Sequence, residues 1–144
     1  MTRIDVAVAA LAAFWLGLVV AISFIEAPLK FRAPGVTVQI GLGIGRLVFG
    51  ALNAVEGVVA LALVLLVVAG DLSSAAVAAV LATCGCLAVQ LVVVRPAMMR
   101  RTNAIRDGGE YARRSRLHLA YVAVEGIKTV ALIGVVILIV AGVR

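Results

Sequence analysis

An acid and a base stand three residues apart where a helix headed into lipid would carry Leu and Val. In "RLHLAYVAVEGIKTVAL", residues 116 to 132, His118, Tyr121, Glu125 and Lys128 recur at intervals of three, four and three residues. A helix turns 100° per residue, so the four share an arc of about 80°. Arg46, Phe49, Asn53 and Glu56 repeat that spacing earlier in the chain, and Thr83, Cys86 and Gln90 form a weaker third stripe. An acid and a base on one face can hold and pass a proton or bind a small polar solute, and ionisable groups inside a membrane are functional candidates by default.

Composition places these stripes in a membrane setting. The chain has 144 residues, 65% of them hydrophobic, with a mean hydropathy of +1.22 and only 5% aromatic. Soluble domains carry roughly 45–50% apolar residues, and a chain this short would have to expose much of the excess. Helices in lipid need no polar outer face. The predominance of Ala, Val, Leu and Gly suits closely packed membrane helices. A net charge of +6 would suggest nucleic acid in a soluble protein. Here the basic residues gather between apolar runs, which reads as a topology signal and not as nucleic-acid binding.

Four apolar runs, at about 5–27, 46–69, 73–94 and 117–142, each approach the ~20 residues a helix needs to cross a bilayer. They predict an all-α fold, a four-transmembrane-helix bundle in one integral membrane domain spanning 1–144. The first run has one preceding Arg, carries Asp5 and leads into Glu26-Ala-Pro-Leu-Lys, so it does not read as a cleavable signal peptide. The connection 95–116 holds Arg95, Arg100, Arg101, Arg106, Arg113, Arg114 and Arg116, and the first connection holds Lys30 and Arg32 with Arg46 closing it. The turn between the second and third runs has no basic residue. The positive-inside rule then makes both basic connections cytoplasmic and both termini external, in the cell's inner (plasma) membrane. The chain also looks doubled. Ala54-Val-Glu-Gly57 and Ala123-Val-Glu-Gly126 each sit in a helix that follows a Pro-containing basic connection, so two tandem helical hairpins would leave spans 2 and 4 parallel.

Depth follows from the rise of 1.5 Å per residue. With Arg46 and Arg116 at the interface, Glu56 and Lys128 lie roughly 15–18 Å in, near the middle of the ~30 Å core. A charge there costs about 2.5–3.5 kcal/mol on insertion scales, so these groups should face inward and pair. Glu56 with Lys128, or Glu125 with Lys128, are the natural partners. The remaining carboxylate is either protonated or meets Arg46 or a charged His118, with Asn53 and Tyr121 sharing the network. The cluster then serves either as a site or as interhelical glue. Glu26, next to Pro28 and Lys30, reads either as part of a site or as an interfacial charge at a helix stop. Cys84 and Cys86 point about 200° apart and form neither a zinc nor a disulfide pattern. Met98 and Met99 lack the companions of a copper site, so no metal is expected and no cofactor is specified.

Beyond single residues, "FWLGLVVAISFIEAPLKFRAPGV", "GIGRLVFGALNAVE" and "HLAYVAVEGIK" resemble a family of small bacterial four-helix membrane proteins of unknown function, distantly similar to the transmembrane-205-like domain. The resemblance rests on Trp15-Leu16-Gly17, Ala27-Pro28 with Phe31, Gly45-Arg46 with Phe49, Asn53 with Glu56, and the His118 to Lys128 stripe. It implies a four-helix bundle and supplies no reaction.

Three functions fit the stripes. One is a transporter-like bundle handling a proton or small solute at Arg46, Asn53, Glu56, His118, Tyr121, Glu125, Lys128 and Glu26. Another is a membrane-embedded enzyme acting on a lipophilic small molecule, such as an isoprenoid or quinone, with Glu56, Glu125 or His118 as its acid or base. No Ser-His-Asp set, phosphate loop or metal cluster supports it. A third is an assembly subunit of a larger complex. Self-association as a homo-oligomer in the lipid bilayer is expected, because three polar stripes are more than one small bundle readily hides and many glycines allow close helix contact. Orientation is directly testable: a cysteine placed in the 95–116 connection should resist membrane-impermeant maleimide in intact cells and label after permeabilisation. Labelling of intact cells would reverse the topology.

Overall fold

The computed structural model describes residues 1–108 and 116–142, less the side chains of Arg106, Leu117 and His118. Among the described residues are four helices long and apolar enough to cross a bilayer: α1 (Arg3–Arg32), α2 (Val38–Ala69), α3 (Ser74–Ile105) and α4 (Arg116–Val140). There is no strand among them. The expected all-α four-helix bundle is what forms.

Local chemistry starts three of the helices. Thr2, Thr37 and Ser73 each accept a hydrogen bond from a backbone amide of the first turn, satisfying a donor that no helical carbonyl can reach. Gly35, at φ 79°, supplies the left-handed residue that the tight link between α1 and α2 requires.

Chain neighbours run antiparallel. Ile4 meets Gly70 at one end, while Lys30 lies over Phe49 and Arg95 reaches Gly50 at the other. α1 and α3 each pack against both α2 and α4, forming a square with α2 and α4 on a diagonal. That diagonal pair is parallel, as the doubled plan requires. Lys30, Arg46, Arg95 and Arg101 thus share one end of the bundle. Arg113 and Arg114 lie outside the described residues.

The core follows a seven-residue repeat. Buried positions are Val8, Ala12, Trp15 and Val19 in α1, and Gly45, Leu52, Glu56, Val59 and Leu63 in α2. In α3 they are Ala76, Val80, Thr83, Leu87, Gln90 and Val94, and in α4 Glu125, Lys128, Leu132, Val135 and Ile139. Alternating steps of three and four keep one seam of each helix on the bundle axis, the pattern of left-handed supercoiled bundles.

Two helices run further than the apolar runs suggest. A helix stop was expected at Pro28 and at Arg95-Pro96, yet α1 continues to Arg32 and α3 passes through Pro96. Each proline stands just after a π-helical stretch, Val20–Glu26 or Gln90–Val94. There the amide of Ala27 bonds the carbonyl of Ile22, and that of Arg95 bonds the carbonyl of Gln90, each five residues back. The widened turn relieves the clash between a proline ring and the preceding carbonyls, so the helix survives its missing donor. α2 likewise starts at Val38, eight residues before its expected span, because Thr37 caps it there.

Close approach occurs at Gly41 and Gly45 of α2. A Cβ on Gly41 would lie 2.3 Å from the Phe31 ring, and one on Gly45 would lie 2.9 Å from the Lys30 amine. Gly17, Gly57, Gly85, Gly126 and Gly134 make no such contact within the chain. Gly41→Ala should therefore lower stability in mild detergent by about 1–3 kcal/mol through overpacking. Gly126→Ala should leave it unchanged or raise it, since alanine is the better helix former. Equal effects in a denaturant titration would contradict the packing described.

Candidate functional site

Every helix contributes to one buried polar cluster. Lys128, fully buried, is held by Glu56 Oε1 at 2.5 Å, Gln90 Oε1 at 2.7 Å and Glu125 Oε1 at 3.3 Å. An ammonium has three protons and here it has three acceptors. Gln90 also donates its amide to Glu125 Oε1 at 2.9 Å, and Trp15 donates its indole N–H to Glu56 Oε1 at 2.8 Å. Both proposed partnerships of Lys128 are thus present together. Glu56 comes from α2 and reaches across the diagonal, and Glu125 lies one turn back along α4.

The charges do not balance within this cluster. Two carboxylates face one ammonium, and both acids are buried, at 0% and 2% exposure. Glu56 Oε2 and Glu125 Oε2 accept no hydrogen bond, although Glu125 Oε2 lies 3.2 Å from the ammonium, within ion-pair range but off the hydrogen-bond direction. Neither Arg46 nor Glu26 joins. Arg46 is exposed and donates to Asn103 Oδ1 at 3.3 Å, and Glu26 pairs with Lys30 at 3.3 Å near the basic end.

Register explains which expected residues are absent. The core positions of α2 fall at Gly45, Leu52 and Glu56, so Arg46 and Asn53 sit one position, or 100°, round the helix. Asn53 is half-buried and lines a cavity instead of the cluster. Tyr121 is on register and borders the cluster beside Glu125, one turn nearer the basic end. Its hydroxyl pairs with Ser23 at 3.1 Å, and its ring meets Phe49 edge-on at 5.4 Å. In α3 the core takes Thr83, Leu87 and Gln90, leaving Cys86 off the seam. The His118 side chain lies outside the described residues.

Trp15, Ser23 and the central place of Gln90 were not anticipated as site features. Trp15 had a legible signal: a lone tryptophan in mid-span carries an N–H that lipid cannot accept, so it must find a buried acceptor. Ser23 had none, being one small polar residue in an apolar run.

A cavity of about 750 Å³ opens between the basic ends of the helices. Gln90, Asn53 and Tyr121 line it on the side of the cluster, while Lys30, Arg46, Arg95 and Arg101 line it elsewhere. Of the three polar stripes, Glu56, Thr83, Gln90, Glu125 and Lys128 are buried within one copy of the chain. Among the described residues no group of His, Cys, Asp and Glu could hold a metal ion.

Fold and site define a class: a four-helix bundle fit for a bilayer, with an ionisable cluster across its axis and a basic cavity above it. Comparison with protein-family models, curated proteins and solved structures finds no match to this chain.

The geometry makes Lys128 the group whose loss strands two acids. Lys128→Met should destabilise the protein by about 3–5 kcal/mol, because uncompensated buried charge remains. Adding Glu56→Gln should recover about 1 kcal/mol or more of that loss. Chemical denaturation of the single and double variants checks this, and a merely additive or worse double variant would show that the two do not couple.

Proposed function

We propose that the protein is a multi-pass membrane protein, oriented with its basic end in the cytoplasm, and that its buried cluster exchanges a proton as part of a transporter-like bundle. The carrying observation is the charge count: Glu56 and Glu125 share the single ammonium of Lys128 at the core, and each keeps an oxygen without a hydrogen bond. With one added proton the trio is neutral; without it the trio holds one net negative charge away from water. Burying such a charge costs several kcal/mol, so proton uptake and the arrangement of the four helices are coupled.

Acid–base catalysis on a bound substrate is less well supported. Among the described residues no carboxylate lines the cavity, so neither Glu56 nor Glu125 would touch a substrate there.

Trp15 provides the readout. It is the chain's only tryptophan and donates directly to Glu56. Its emission should pass through a pH-dependent transition in the folded protein that Glu56→Gln removes and Glu125→Gln displaces. Infrared difference spectra over the same range should show a carboxylic-acid band that one of these variants deletes. Flat emission with no such band, in protein that stays folded, would end the proton-exchange reading.

A further inference from the structure

We propose that the cavity at the basic end binds an anionic amphiphile: a phosphate or carboxylate head carried on an apolar chain. This rests on the cavity's own lining and holds whether or not the buried cluster exchanges a proton.

Charge selects the head. Four cations line the cavity and, among the described residues, no carboxylate does. They are not equivalent. Lys30 is paired with Glu26 and also faces the Phe49 ring at 5.2 Å, and Arg46 donates to Asn103. Arg95 is different: it is half-buried, and among the described residues it has neither a hydrogen-bond nor an ion-pair partner. Its guanidinium lies against Gly50, where a Cβ would stand 3.3 Å from Nη2. A guanidinium presents a fork of donors that matches a phosphate or carboxylate two bonds at a time. Holding one partly desolvated without a protein partner costs stability, and a bound anion would offset that cost.

The walls select the tail. Phe24, Phe31, Leu42, Met98, Met99 and Val122 supply an apolar lining. Phe24 and Phe31, both in the lining, are 41% and 38% exposed, so apolar surface stands open there to a chain. The methionines adapt to irregular chains. The volume of about 750 Å³ falls within the range of small-molecule sites, and a free inorganic anion would leave most of it empty.

Dodecyl phosphate tests the proposal, with dodecanol and inorganic phosphate as its two halves. The full-length protein in zwitterionic nanodiscs should bind about one dodecyl phosphate per chain, and each half should bind at least roughly tenfold more weakly, the worth of one charge-assisted hydrogen bond. Arg95→Gln should weaken dodecyl phosphate by roughly tenfold or more, while Arg100→Gln, which is exposed and outside the lining, should not. Arg95→Lys keeps the charge but loses the fork, so it should lose several-fold with Trp15 emission unchanged; it decides the matter if Arg95→Gln misfolds. Inorganic phosphate binding as well as dodecyl phosphate would make this a free-anion site and overturn the amphiphile. Dodecanol binding as well would show that the cations do not read the head. Unchanged affinity in both Arg95 variants would place the ligand elsewhere.

Discussion

One ammonium sits where four helices meet, and the arrangement of the core depends on it. Lys128 gives its three protons to Glu56, Gln90 and Glu125, which come from three different helices, and Trp15 ties the fourth through Glu56. Apolar seams alone would tolerate a helix sliding by a turn, because Leu and Val pack about equally well in many registers. Hydrogen bonds inside a dry core do not tolerate it: a slip of one turn moves an acceptor by about 5.4 Å and strands a charge. The apolar residues therefore bring four helices together, and the cluster selects one register among the many they would accept.

Much of this was legible, because lipid is a severe constraint. Long apolar runs point to four helices, since a segment read as crossing lipid must satisfy its own backbone. Glu56, Glu125 and Lys128 were found because charges at mid-depth must turn inward and pair. What was lost was lost by one residue. Spacings of three and four are ambiguous by 100°, so the stripe through Arg46 and Asn53 looked equivalent to the true seam through Gly45 and Leu52. Polarity marked the wrong line there, because the buried residues on the basic half of α2 are glycines, chosen for their lack of a side chain. Helix ends at Pro28 and Pro96 were misjudged for a related reason: local rules for proline do not register a compensating π turn upstream.

Those two π turns strengthen the doubled plan more than the short Ala-Val-Glu-Gly echo does. In α1 and in α3 the wide turn lies toward the basic end, and the proline follows two residues after its last member. An extra residue in a turn rotates the remainder of the helix by about 100°. In α3 the effect is visible: the seam through Gln90 and Val94 would continue at residues 101 and 104, yet the buried residue is Ile105. Beyond each π turn the helix presents a new face toward the glycines of α2. Lys30 and Phe31 come to rest on Gly45 and Gly41, and Arg95 on Gly50. The same device, used twice, shapes the basic cavity from its two sides.

Gln90 is where cavity and cluster join. It begins the π turn of α3, lines the cavity, and is bonded to both Lys128 and Glu125. A primary amide is sided: its oxygen accepts from the ammonium and its nitrogen donates to the carboxylate. A proton added to Glu125 Oε1 would set a donor against that nitrogen and break the bond. A proton added to Glu56 Oε1 would face the indole N–H and the ammonium, which are both donors. In the proton-exchange reading the proton therefore belongs on an Oε2 atom of one acid or the other, the two oxygens that accept no hydrogen bond. There it neutralises the trio while every existing hydrogen bond is kept, and a single side chain, Gln90, carries the change of charge to the cavity wall.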